Sequence, residues 1–333
     1  MNTLDSIVQG LPLEERIGHL LMVPPVERIM RRVHAGTVIV MDYHLLPEID
    51  HAAEFTTNLQ SAAAQYTDIP VWVHGFVLEK DWAGPRDGEI AKQCSEQEAE
   101  ALAYELGRRW REVGFHNYPS PTVNVPLFET GIALGEEISR DPAVTTLYAR
   151  ALTRGLHRAG CGNMAQHFPA HGATAVDSHK DVPVVKLNRD DIMRDHIAPY
   201  VASFAEGCST ICTAHLRCPA LDPHPTDIAT ISKSIMTDLL RSELGFKGIA
   251  IADCVSMAAY QRMGDLAATT VKAVAAGCDS ICITLEDDTA AHLFDGLLAA
   301  VQDGRLDASR VDEAVRRNLE FKAWLGLLPD ATS

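Results

Sequence analysis

No two of the eight cysteines form a Cys-x-x-Cys pair, so the commonest sequence sign of a zinc ribbon or a redox dithiol is missing. Basic residues are outnumbered, 29 Lys and Arg against 45 Asp and Glu, for a formal net charge of −16. That balance excludes the basic surface that nucleic-acid phosphates recruit. No apolar run approaches the ~20 residues needed to span a bilayer, and the opening MNTLDSIVQGLPLEERIGHLLM lacks the basic-then-apolar layout of an export signal. Nor is there a Pro/Ser-rich linker or a break in composition, so residues 1–333 are expected to form one domain. These absences together lead us to expect a cytoplasmic protein that acts on a small molecule, binds neither nucleic acid nor membrane, and carries no signal of its oligomeric state. Cys208, Cys212, Cys254, Cys278 and Cys282 lie inside apolar runs, where reduced thiols serve as small core residues.

What is present is a recurring short apolar run rich in β-branched residues. Strands are expected at His19–Val23, Thr37–Met41, Val71–Val77, Phe115–Val125, Met164–Phe168, Thr210–His215, Gly248–Asp253 and Ser280–Leu285. Their continuous apolar character suits strands covered on both faces. Helical patterns alternate with them, at Ser95–Val113, Pro142–Ala159, Ser232–Leu244 (with Ser232 as N-cap) and Ala308–Leu325. About eight such alternations point to a (β/α)8 TIM-type barrel. An open doubly wound sheet would want a glycine fingerprint after its first strand, and none is there.

Barrel chemistry gathers at the C-terminal ends of the strands. Those ends hold His74, Asn124, His167, His215 and Asp253, polar residues on separate strands that suggest a common pocket. Asp253, closing GIAIAD, suits a nucleophile or a stabiliser of positive charge, or alternatively a helix N-cap. In QHFPAHGATAVDSH, residues 166–179, His167 and His171 have the four-residue spacing of a helical zinc pair. Pro169 and Gly172 break that helix, which leaves a metal hydrolase the lesser reading. Asp177 and His179 lie two apart on an irregular stretch, 170–182, where a carboxylate can orient an imidazole for acid/base work.

QHFPAHGATAVDSH closely resembles the KHFPGHG…DSH signature of glycoside hydrolase family 3, in particular its single-domain bacterial β-N-acetylglucosaminidases. EERIGHLLM, SPTVNV, TAHLRCPALDP, LLRSELGFKGIAIADCVSM, AVAAGCDSICI and RVDEAVRRNLEFKAWLGL agree in order and spacing over nearly the whole chain. The resemblance implies a barrel fold and double displacement with retention, without metal or other cofactor. It implies Asp253 as nucleophile and His179, oriented by Asp177, as acid/base.

The chain also departs from that pattern. The strand-three DQEGG-type acids are replaced by His74-Gly75-Phe76-Val77-Leu78, and the Asp of APxxDV by Asn124. The Arg of the RSF-type motif falls near Glu137, and the Lys before HFP is Gln166, while His167 stays. Losing such contacts commonly costs ~1–3 kcal/mol each. The resemblance therefore implies an atypical substrate met by His74, Asn124, Gln166, His167, His215 and Glu137, with His74, Phe76 and Trp82 favouring a more apolar ligand. Phosphorolysis, another reaction of specialised metabolism, and a barrel that binds without catalysing are the alternatives.

Overall fold

The computed structural model describes residues 3–45, 51–76, 84–129, 135, 137–222, 224 and 227–328. Trp82, Val77 and Leu78 lie outside these residues. Eight strands close a barrel in sequence order: β1 Leu21–Val23, β2 Thr37–Met41, β3 Trp72–Phe76, β4 Asn117–Tyr118, β5 Gly162–Phe168, β6 Thr210–Thr213, β7 Ile249–Ala252 and β8 Ser280–Cys282. Every neighbouring pair is parallel, including β1 with β8. The expected TIM-type barrel is therefore the observed architecture.

The strand ends differ from expectation for local reasons. β4 is only two residues long, where eleven residues of strand were expected. Pro119 and Pro121 remove two ladder donors, so the chain past Tyr118 rejoins β5 only through a bridge from Thr122 to Gln166. His19 is not in β1, because it closes the preceding helix Leu13–Gly18.

Two apolar layers follow from the two-residue period of the strands. Inside the barrel, Met22, Ile39, Trp72, Met164, Cys212, Ile249, Ile251 and Cys282 pack together. Phe321 of the C-terminal helix Ala308–Trp324 and Leu325, which caps it, join them and stopper the N-terminal end. The Trp72 indole meets Phe321 edge-on at 5.2 Å and donates to Asn318 Oδ1 at 3.1 Å. Fully burying side chains of this size contributes about 1.5–3 kcal/mol each. Alternate strand residues face the helices, and at Gly75 the Trp110 ring lies 2.3 Å from where a Cβ would stand, so only glycine fits.

The helices begin where the side chains allow. Ser95 and Glu98 form a reciprocal capping box at Glu96–Glu112, and Asp141 caps Pro142–Arg158 through Ala143 N–H at 2.8 Å. Ser232 Oγ accepts from Ile235 N–H at the start of the expected third helix, which is wound as a π-helix over Ser234–Glu243. Beneath the barrel, Asp279 is fully buried and takes Arg241 at 2.5 Å, Arg310 at 2.7 Å and Arg317 at 2.9 Å, tying the C-terminal helix to β8.

Candidate active site

Asp253 stands half-buried one residue past β7. Its Oδ1 accepts from the next backbone N–H, that of Cys254, at 2.7 Å. The following helix starts only at Ala258 with Met257 as its cap residue, so Asp253 is not a helix N-cap. Burial alone pushes this carboxyl up. The imidazoles of His167 and His215, the Cys254 N–H and His171 more than offset it, and the group ends below its ordinary value.

His215 is fully buried, and burial lowers its pKa. Its Nε2–H donates to the Cys254 carbonyl at 3.3 Å and its Nδ1 pairs with Thr230 Oγ1 at 2.8 Å. The imidazole thus braces the loop that carries Asp253. His167 reaches the pocket through a bulge: the β5–β6 register shifts between Gln166 and Phe168. With strict alternation His167 would face the helices, as Phe168 does against Tyr200.

Asn124, expected among substrate contacts, gives both ends of its carboxamide to His167. It accepts from the His167 backbone N–H at 3.0 Å and lies 3.1 Å from Nδ1 through its own Nδ2. Gln166, likewise expected to meet substrate, directs Nε2 to Thr122 Oγ1 at 3.3 Å and the Pro119 carbonyl at 3.4 Å. His74, buried on β3, pairs through Nδ1 with Asn117 Nδ2 at 3.1 Å, and burial lowers its pKa to about 4. Phe76 lies beyond it, 6.5 Å between ring centres.

Asp177 and His179 do pair, Oδ1 to Nδ1 at 2.9 Å. They do so within a turn rather than an extended stretch. The same Oδ1 accepts His179 N–H at 2.9 Å, and the Asp177 carbonyl accepts from Lys180 and Asp181. Burial pushes the Asp177 carboxyl up, but the His179 contacts bring it below its ordinary value. The loop is docked rather than loose: Ser178 O accepts from Ala259 N–H, and Arg262 pairs with Asp181 at 3.3 Å, both just beyond Asp253. At its start the loop lies against the segment that follows β4, where a Cβ at Gly172 would stand 2.4 Å from the Val125 carbonyl oxygen.

Glu137 does not join the group. It lines a groove between the helix Asp87–Gln93 and the helix Pro142–Arg158, with Lys92, Arg140 and Val144, outside the ring of strand ends.

Two contributors, Cys212 and Cys254, were expected only as core residues, and His171, expected only as a zinc ligand with His167, has another part. His171 Nε2 bonds Ser178 Oγ at 3.0 Å and its ring lies 5.9 Å from that of His167, with burial lowering its pKa to about 4. Cys212, assigned to the core, has its sulfur within 4.8 Å of a His167 nitrogen and an Asp253 oxygen. Its inward position was readable, because it lies two residues past Thr210 and pairs in register with Ile251, the inward residue two before Asp253. Cys254 is partly exposed at the mouth. Hydrogen bonding from Cys282 and, against the push of burial, from Ser256 and Thr284 lowers its pKa to about 5.

His167, Cys212 and Asp253 have the donor types that zinc takes. The ring is poorly presented for it. An N–H from Asn124 at Nδ1 puts the neutral ring's proton on Nε2, and burial with the Asp253 charge holds the Cys212 thiol well above its ordinary range. We assign no metal to these groups.

Residues 13–321 match the family model for the glycosyl hydrolase family 3 N-terminal domain. The chain belongs to this family. It is 30% identical to a beta-hexosaminidase of Nitrosomonas eutropha over 233 residues, 69% of this chain and 65% of that protein. With a beta-hexosaminidase of Bordetella avium it shares 30% over 267 residues, 78% of this chain and 72% of that protein. A glycoside hydrolase family 3 beta-N-acetylglucosaminidase from Paenibacillus sp. str. FPU-7 superposes with a TM-score of 0.90 at 26% identity, over 96% of this chain and 63% of that one. The matched span is thus just under two thirds of the length of the first and last of these proteins. No helix among the described residues is long and apolar enough to cross a membrane.

Proposed function

We propose that the protein is a retaining glycoside hydrolase of β-N-acetylhexosaminidase type, acting in the cytoplasm on a small glycoside. The observation that carries this reading is the placement of an ionised Asp253 beside the docked Asp177–His179 turn, joined through Ser178 and Ala259. The names of the curated relatives support it.

In the first half-reaction Asp253 attacks the anomeric carbon and forms a glycosyl–enzyme ester. His179, whose Nδ1 is held by Asp177, delivers a proton from Nε2 to the leaving oxygen. In the second half the same Nε2 takes a proton from water, which attacks the ester carbon and releases the sugar with its original anomeric configuration. The Asp177 carboxylate keeps the ring oriented and stabilises it when charged.

The sugar is held differently from the pattern the family resemblance implies. The stretch at His74 and the Asn124 amide stand where acids grip hydroxyls in that pattern, and Gln166 stands where a lysine does, while His167 is kept. We take the substrate to be a hexosaminide, or a related glycoside, with fewer charged contacts to its hydroxyls. The deciding experiment is turnover of aryl N-acetyl-β-glucosaminide and aryl β-glucoside by the intact protein and by Asp253→Ala, with and without phosphate. Turnover that disappears with Asp253 supports the reading. Absence of turnover on both, or strict phosphate dependence, overturns hydrolysis.

A further inference from the structure

The amide of Asn124 has only one possible orientation. The atom 3.0 Å from the His167 backbone N–H must be the oxygen, because only an acceptor can meet that donor. The amide nitrogen therefore faces His167 Nδ1, at 3.1 Å. An N–H needs a lone pair opposite it, so Nδ1 of the neutral ring carries no proton and Nε2 does. Both Asn124 and His167 are buried, at 3% and 8% exposure, which leaves little room for water to reverse the pairing.

We propose that Asn124 is a positioning residue that locks the neutral His167 ring as its Nε2–H tautomer, so that the pocket presents an N–H donor beside the Asp253 carboxylate. The catalytic consequence rests on the glycosidase reading. The tautomer belongs to the resting protein and does not.

An aspartate, which the family resemblance places at this position, would present oxygen to both partners. It would hold the proton on Nδ1 and leave the far nitrogen of a neutral ring as a lone pair. One acid-to-amide exchange thus reverses the polarity of the group that meets substrate. It also removes a negative charge from the surroundings of Asp253. With Nε2–H outward, His167 is suited to an acceptor on the substrate, a hydroxyl, ether or carbonyl oxygen, and cannot serve as a base toward it. One His167 ring nitrogen lies within 4.8 Å of an Asp253 carboxylate oxygen, and with Nδ1 turned to Asn124 the Nε2–H is the donor the ring has free on that side.

The test is nitrogen-15 NMR of histidine-labelled protein, with His167→Gln used to assign the ring signals, in the intact protein and in Asn124→Asp. We expect the His167 proton on Nε2 in the intact protein, and on Nδ1 in Asn124→Asp. We also expect kcat/KM to fall tenfold or more in the variant, mainly in KM, with a changed pH profile and an unchanged far-ultraviolet spectrum. A proton on Nδ1 in the intact protein overturns the proposal whatever the activity, and does not depend on Asn124→Asp folding. An unchanged tautomer in a folded Asn124→Asp overturns it as well. An inactive protein that still shows Nε2–H overturns the glycosidase reading and leaves the lock standing.

Discussion

Ser178 Oγ lies 3.0 Å from Nε2 of His171, and the residue between Asp177 and His179 is thereby turned completely inward. The two flanking side chains stay at the surface, where His179 Nδ1 meets Asp177 Oδ1. The middle residue of the triplet is the pin and the outer two are the working pair. Ser178→Ala removes the pin and leaves the buried His171 Nε2 unsatisfied. The expected cost is about 1–3 kcal/mol in urea unfolding, with kcat reduced more than KM because the acid/base turn loses its registration. Equal kcat in the variant would mean that the Ser178 carbonyl on Ala259 suffices by itself.

Asp177→Asn retains an oxygen for the His179 N–H and Nδ1 but removes the charge. Turnover of glycosides with poor leaving groups should fall roughly 10²–10⁴-fold, the range of general acid catalysis, and that of activated aryl glycosides much less. The comparison of the two substrate types is the measurement, and an equal loss on both would point to disturbed binding instead.

Lys322 is fully buried near His19, Nζ to Nδ1 at 3.4 Å, and burial lowers its pKa to about 7. The unfolded lysine, near 10.4, binds more protons than the folded one between those values, so stability rises with pH from about 7 to about 10. Below 7 the charge is present in both states and its burial penalty is full. Lys322→Met should therefore raise the melting temperature at pH 7 and flatten its rise above that pH. Parallel pH profiles in the two proteins would refute the assignment.

Asp279→Asn leaves Arg241, Arg310 and Arg317 converging on a neutral group under the barrel. Breaking a buried ion network in this way costs about 3–5 kcal/mol. Urea titration should show the loss, while kcat per folded molecule stays near that of the intact protein, since Asp279 precedes β8 at the end opposite the candidate site.

The barrel was legible because burial on both faces leaves an unbroken apolar run, and eight such runs alternating with amphipathic stretches have few other solutions. The strand-end rule then reached Asp253, His167, His215 and His74. It also gave Asn124, and the family resemblance gave Gln166, as substrate contacts, whereas the structure turns both side chains toward neighbouring chain. Glu137, named by the family resemblance, lies in an outer groove. Ser178 and Cys212 had no reading at the site and His171 only that of a zinc ligand, because what marks them is a side-chain contact across a turn or a register between strands.

The sequence alone determined the closed parallel barrel, the family, and which residue types stand at the strand ends. Periodicity and motif order are local properties and survive without coordinates. Only the tertiary structure decided the polarity of the site. The bulge in β5 turns His167 inward, Asn124 orients its proton, and the Asp177–His179 turn docks beside Asp253. Each of these depends on two segments meeting with a particular donor opposite a particular acceptor, and that pairing is a fact of three-dimensional packing.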